Sequence, residues 1–558
     1  MGDGVETTRL GYLGGCLVRV ERPVQAVGAA VIVPPFAEEK KAAHRAVVEA
    51  ARALAAAGWD TAHLDLRGTG DSALDHAEVD VATWLADLRA LVAWQRDRYP
   101  GLPLVLIGLR LGAALAYTLA REVEVDQLVL WEPVTSGASY LRQSRQRSQL
   151  RAELTDGSSG LKEADGAFDF DGFAVGPALS ASLSELDLAA GEPPRASSVV
   201  VLQISGTPRI KKPLADLGER LTAAGLSTTV ENVAVEAFWS AIGLVDASPV
   251  TEATLAHLPA GGNQSPPAEV QLETGLSLEA GVRAEVRSFA SGDQTCHGVL
   301  YRPAGEASSA ALLLHGWSGY RVGPGQLLTR GARALAVSGV AAYSFDFRGR
   351  GDSEWQVGEA SLNSMIRDAA RAVPLVCEWS GVEQVLLLGL CSGGEVAIGA
   401  SLSDPRVTRL ALWSAPIFSG NFDFARRARR SRKMLSDYWR KLFLGETWSK
   451  LLSGRLNWRL IARAVGGGRS AEDAGVADKA PDTAQQMSAF EAFGGKLLFI
   501  YGGNDPETAP SREFYRSFVE RVGMPHSFCE VAGANHNFYA LGWHEQVIGD
   551  TLTWLQED

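Results

Sequence analysis

Cysteine is scarce: five residues in 558 (Cys16, Cys296, Cys377, Cys391, Cys529), scattered, odd in number and never in C-x-x-C spacing. That excludes a disulfide framework and argues against a zinc site, so any special cysteine is special as a free thiol. Long apolar runs are missing as well; none approaches the ~18–20 residues needed to cross a bilayer. The opening MGDGVETTRL has neither the charged nor the apolar part of a signal peptide, so a cytoplasmic location without a membrane span is expected. No G-x-x-x-x-G-K loop, dinucleotide fingerprint or metal-ligand spacing occurs, and no cofactor or metal is expected. Excess positive charge is absent: the net charge is -12, which speaks against nucleic acid as a partner. With 46% hydrophobic and 21% charged residues, the chain has the composition of an ordinary globular protein too long for one core.

What is present is one plan written twice. HLDLRGTGDS at 63–72 returns as SFDFRGRGDS at 344–353, and the surrounding elements repeat in order. In the first half the pattern predicts a strand at AAVIVPP, a helix over Lys40–Ala57, a strand at TAHLDL and a helix over Val81–Tyr99. The strand PLVLIG, a helix from Leu111 and the strand DQLVLW follow. The second half answers with ALLLHG, Leu327–Ser338, VAAYSFDF, Leu362–Ser380, QVLLLG, a helix from Gly394 and TRLALW. Short apolar runs alternating with helices predict a mostly parallel sheet covered on both faces. Each half then carries an irregular insertion before resuming at SVVVLQI (198–204) and KLLFIYG (496–502). The expected division is a first domain over 1–245, a Pro/Ala/Gly/Ser-rich linker over 246–270 and a second domain over 271–558.

The sharpest motif is Gly389-Leu390-Cys391-Ser392-Gly393, a G-x-nucleophile-x-G turn between a buried strand and a helix. The flanking glycines allow a strained bend that lifts Cys391 beside a helix N-terminus, where dipole and a histidine favour the thiolate. Asp505 follows the strand at 497–501, and His536 follows the strand SFCEVAG. Nucleophile, acid, histidine is the chain order of α/β hydrolases. In that scheme His536 takes the thiol proton and Asp505 fixes its tautomer, while the N–H groups of Trp317 and Ser392 face the oxyanion. Arg110 stands at the first half's elbow, Gly108-Leu109-Arg110-Leu111-Gly112. No acid follows VVVLQI and no histidine lies between His76 and His257. The first half therefore reads as a degenerate domain lacking nucleophile, acid and base, with Arg110 expected to pair with Glu38 or Glu39.

On these residues the chain resembles the α/β-hydrolase superfamily, as two tandem domains with lid insertions. More narrowly, Tyr320-Arg321-Val322-Gly323, FDFRGRGDS and the GLC elbow resemble exosortase A system-associated hydrolases of type 1. Pro34-Pro35-Phe36-Ala37-Glu38-Glu39-Lys40 and GLRLGA at 108–113 resemble type 2. The resemblance implies acyl chemistry. The reading is hydrolysis of an ester or thioester through an acyl-cysteine. The alternatives are an acyltransferase or amide-forming enzyme using the same intermediate and, in another class, a non-catalytic binding or scaffold protein. The lid is expected over 416–493; between 421 and 463 it holds twelve Lys/Arg against three acids, with Trp439 and Trp448 among them. Such a segment reads first as a solvated helix face or a salt-bridged contact with the acidic first domain, and otherwise as a surface that draws an acyl group carried on coenzyme A or an acyl carrier protein. Candidates for substrate contact are Trp439, Trp448, Arg321 and His315, the last better suited to shaping its loop than to proton transfer.

Overall fold

The computed structural model describes residues 5–154, 168–241, 245–354, 360–418, 487 and 490–557. The first half contains β1 (Val5–Leu13), β2 (Cys16–Pro23), β3 (Gly28–Val33), β4 (Trp59–Leu64), β5 (Leu104–Leu109) and β6 (Val125–Trp131). A small hairpin of β7 (Phe168–Phe170) and β8 (Phe173–Val175) precedes β9 (Ala196–Ile204) and β10 (Ser227–Val233). The sheet order is β1-β2-β4-β3-β5-β6-β9-β10. β1, β2 and β4 pair antiparallel, and every later neighbour is parallel.

The second half repeats this plan. Its strands are β11 (Gly275–Ser277), β12 (Arg283–Ser291), β13 (Gln294–Arg302), β14 (Ser309–Leu314), β15 (Val340–Phe345), β16 (Val385–Leu390), β17 (Val407–Trp413), β18 (Lys496–Gly502) and β19 (His526–Val531). They lie in the order β11-β12-β13-β15-β14-β16-β17-β18-β19, antiparallel as far as β15 and parallel beyond. The inner strands GAAVIV, LVLIGL and VLLLGL are buried at every residue because helices cover both faces. Between β14 and β16 the chain changes direction of travel across the sheet. The loops leaving those two strands diverge, and a crevice opens at their carboxyl ends.

Residues 248–257, expected within the linker, form a helix (Ser248–His257) instead. Pro249 lies in its first turn, where a missing N–H costs nothing. Its Thr254 accepts from Trp131 Nε1 at 2.9 Å, and Gln127 Nε2 donates to the His257 carbonyl at 2.7 Å. A proline that reads as a linker signal is here a helix start.

The halves share a seam. Tyr12 and Leu17 of the first half are buried in one apolar cluster with Val299 and Leu327 of the second, and Tyr12 exchanges backbone hydrogen bonds with Glu273. The repeated aspartates cross over reciprocally. Asp71 is held by the second half, accepting from Arg321 Nε (2.7 Å), Tyr301 Oη (2.7 Å) and Thr329 Oγ1 (3.1 Å). Asp352 is held by the first half, through His44 Nε2 (3.0 Å) and Arg19 Nη1 (3.0 Å). His44 also stacks on Tyr320, with ring centroids 4.2 Å apart.

Candidate active site

Cys391 sits between β16 and the helix Ser392–Ala400, with φ 55° and ψ -126°. A non-glycine residue holds such angles only where its surroundings dictate them. Here the dictation is steric. A Cβ on Gly389 would lie 2.3 Å from the Gly393 carbonyl oxygen, and one on Gly393 would lie 2.0 Å from the Leu314 oxygen. Cys391 N–H donates to the Trp413 carbonyl at 2.8 Å, fixing the bend to the neighbouring strand. The side chain is half-buried, whereas Cys16, Cys296 and Cys377 are buried.

His536 lies in the turn after β19 and Asp505 in the turn after β18. His536 Nδ1 is 2.9 Å from Asp505 Oδ2. The Asp505 carboxylate also accepts from Glu507 N–H (3.0 Å) and the Thr508 hydroxyl. Burial opposes its charge, but the His536 hydrogen bond and charge, with Thr508, hold it below the usual carboxylate range. Burial likewise opposes a charged His536. The charge of Cys391 and hydrogen bonds to Asp505 and Cys391 outweigh burial and raise the imidazole well above its ordinary value. Cys391, His536 and Asp505, far apart in sequence, thus form one hydrogen-bonded line across the carboxyl ends of β16, β18 and β19.

Ser392 opens its helix, so its N–H has no acceptor four residues back. Trp317 N–H is committed to Ser392 Oγ at 2.7 Å; an oxyanion at this place competes with that hydroxyl. The Trp317 loop is clamped by Arg350, absent from the expected site. Its Nε donates to the Trp317 carbonyl at 2.7 Å, and its guanidinium lies 4.3 Å above the indole ring. The signal was in the repeated motif, where the first half has Thr69 in place of Arg350.

Two residues expected to touch substrate lie elsewhere. His315 is buried, its Nδ1 2.8 Å from the Gly316 carbonyl and its Nε2 3.4 Å from Phe347 N–H. Burial pushes its pKa down to about 3. It is a neutral brace of its own loop. Arg321 is buried in the seam, spent on Asp71, Asp346 and Asp352. Its Nε and Nη1 are given to those three carboxylates, in the seam rather than in the crevice. Trp439, Trp448 and the basic stretch of the lid lie outside the described residues.

The first half keeps the bend with arginine in place of cysteine. Arg110 adopts φ 58° and ψ -118°, nearly the angles of Cys391. A Cβ on Gly112 would lie 2.3 Å from the Pro34 oxygen. Arg110 Nη2 pairs with Glu39 at 3.2 Å, and its guanidinium lies 5.2 Å from the Trp239 ring, in the segment where a histidine would stand.

A family model described as serine aminopeptidase, S33, matches residues 31–156 and 310–540, well over half of the chain and part of each half. No curated protein matches. Among solved structures the chain is similar to Est1E from Butyrivibrio proteoclasticus with ferulic acid bound (15% identical, 49% of this chain, 100% of that one, TM-score 0.33). It is also similar to a Pyrococcus furiosus esterase (15%, 49% and 90%, TM-score 0.35) and to a dienelactone hydrolase from Anabaena variabilis (14%, 49% and 97%, TM-score 0.33). Two sheets of this topology and a match in both halves make the chain a tandem α/β hydrolase, and it belongs to the S33 serine aminopeptidase family, with cysteine at the elbow of its second half.

Proposed function

We propose that the second half is a cysteine-nucleophile acyl hydrolase that cleaves an ester or thioester through an acyl-cysteine at Cys391. The observation that carries this reading is the hydrogen-bonded line of Cys391, His536 and Asp505 at a strained elbow. The charge pairing that raises His536 favours a thiolate at Cys391 as the attacking species. Sγ attacks the acyl carbonyl, and the oxyanion is met by the Ser392 and Trp317 N–H groups, the second released from Ser392 Oγ. Collapse breaks the bond to the leaving alcohol or thiol, which takes its proton from His536. Water then attacks the thioester carbonyl, His536 accepts a water proton, and breakdown frees the acid and returns the thiolate.

Resemblance of the 320–323, 344–353 and 389–391 motifs to exosortase A system-associated hydrolases supports an acyl donor, on coenzyme A or a carrier protein. The test is intact-mass measurement after mixing with a panel of acyl thioesters and esters. An acyl mass on wild type, absent in Cys391→Ala, is the expected result, and its decay in water without an amine acceptor identifies hydrolysis. Persistence until an amine or thiol is added moves the assignment to acyl transfer; no adduct with any donor discards the nucleophile.

The first half serves as a non-catalytic partner domain in this reading. Lys41 Nζ donates to Tyr539 Oη at 3.1 Å, and Tyr539 stands three residues beyond His536. Glu38 accepts from Gly325 N–H at 2.6 Å. Those contacts support a role in bracing the histidine turn.

A further inference from the structure

A second polar site lies in the seam, built from both halves and separate from the Cys391 crevice. It is lined by Asp75 and His76, by Gly172 of the β7–β8 hairpin, and by Thr329, Arg330 and Arg333 of the helix Leu327–Val337. About 320 Å³ of space, counting the part open to solvent, separates these groups.

The positive charges here make no ion pair among the described residues, although the Asp169 carboxylate is near enough for Arg330 to favour its charged form. Arg330 makes no hydrogen bond or ion pair among the described residues. Arg333 gives Nη2 to the Ser72 carbonyl and Nη1 to the Leu74 carbonyl at 3.4 Å, neither an anion, and its Nε is buried without a partner. Nearby carboxylates are engaged. Asp75 caps a turn through Ala77 N–H (3.1 Å), and Asp169 accepts from Gly172 N–H (2.8 Å) and Leu541 N–H (2.7 Å).

His76 sharpens the specificity. Its Nδ1 lies 2.8 Å from the Ala174 carbonyl and therefore carries the hydrogen, leaving a bare lone pair on Nε2. That nitrogen is buried and has no partner among the described residues. The ring is fixed between Phe36 and Phe173, with centroids 5.4 and 5.3 Å away. Burial keeps it neutral, with its pKa down to about 4. Buried orphan donors and acceptors of this kind call for an unseen partner.

We propose that this seam pocket binds a phosphate group, whose oxygens accept from Arg330 and Arg333 and whose P–OH donates to His76 Nε2. The bare acceptor is what selects. A phosphate near neutral pH keeps a proton on part of its population, since its second pKa is about 6–7. Sulfate and carboxylate carry none and meet the His76 lone pair with a lone pair of their own. Because the lining comes from both halves, the ligand acts as a clasp across the seam.

Titration calorimetry of the full chain at about pH 6.5, with inorganic phosphate, a simple alkyl phosphate monoester and sulfate in parallel, tests the proposal. The expected result is one saturable phosphate site, with sulfate weaker by about tenfold or more. Arg330→Gln, at a partly exposed position, should weaken phosphate by about tenfold or more, while Cys391→Ala leaves it unchanged. Whichever phosphate binds tighter names the source, free anion or ester. An unsaturable heat, sulfate equal to phosphate, or an undiminished affinity in Arg330→Gln overturns it.

Discussion

At the scale of single residues, the thiol at the elbow differs from the other four in what surrounds it. Burial raises Cys16, Cys296, Cys377 and Cys529, whereas Cys391 faces an imidazole favoured in its charged form. Brief iodoacetamide treatment at about pH 6 should label one cysteine, Cys391, and peptide mass mapping should show the label fall by at least about tenfold in His536→Ala. The same pairing has a pH signature in stability. His536 is raised in the folded state, so its contribution is complete below about pH 6.5, its unfolded value, and fades as pH climbs through the raised value. Asp505 is lowered, so its contribution holds above about pH 4 and disappears as pH falls through the folded value. Denaturant midpoints of wild type and His536→Ala should therefore converge at alkaline pH and not near pH 6. Cys391, Asp505 and His536 were legible in the sequence because each follows an unmistakable buried strand. His315 lies where its loop-shaping reading puts it, whereas Arg321 turns to the seam: a charged residue in the right loop looks alike whether it faces the crevice or a buried aspartate.

At the scale of elements, the turns do the positioning. Gly393→Ala puts a methyl where the Leu314 oxygen stands, and Gly112→Ala does the same against Pro34. Each should cost at least about 2–3 kcal/mol by denaturant titration, although only the first bend presents a thiol. Arg350 acts through the loop it clamps. Arg350→Ala should lower kcat about 10–100-fold with little change in KM, as expected for loss of oxyanion support, and Arg350→Lys should regain part of the loss. The inner strands and their helices match their expected spans to within a few residues, since a run such as VLLLGL permits few alternatives. The antiparallel β1, β2, β12 and β13 were not legible. TTRLGYLGGCLVRVERP mixes charge with apolar residues without a clean alternation; its two strands pair with each other and with β4, and an isolated bridge, Tyr12 to Glu273, is their backbone tie to a distant segment. The helix over Ser248–His257 was hidden for the opposite reason, its proline being compatible with both readings.

At the scale of the whole molecule, the reciprocal aspartates weld two halves into one unit. Asp71, Arg321, Asp346 and Asp352 are almost wholly buried, so removing one partner strands an uncompensated charge. Asp71→Ala should destabilise the chain by about 3–5 kcal/mol in urea unfolding, and Asp71→Ala with Arg321→Met should recover much of it. Lys41→Met tests the histidine-turn brace: a several-fold fall in kcat with an unchanged unfolding midpoint is expected, and equal loss of both quantities assigns Lys41 to folding alone. None of this reciprocity follows from either half read separately; it needs Asp71 and Asp352 seen as copies of one another. The crest at residue 110 carries a last implication. Its kink has nearly the angles of the one at Cys391, so a different side chain installed there would be displayed as Cys391 is, at a set separation across one polypeptide. A probe at that position would make the molecule its own ruler, reporting any shift of one half against the other during turnover.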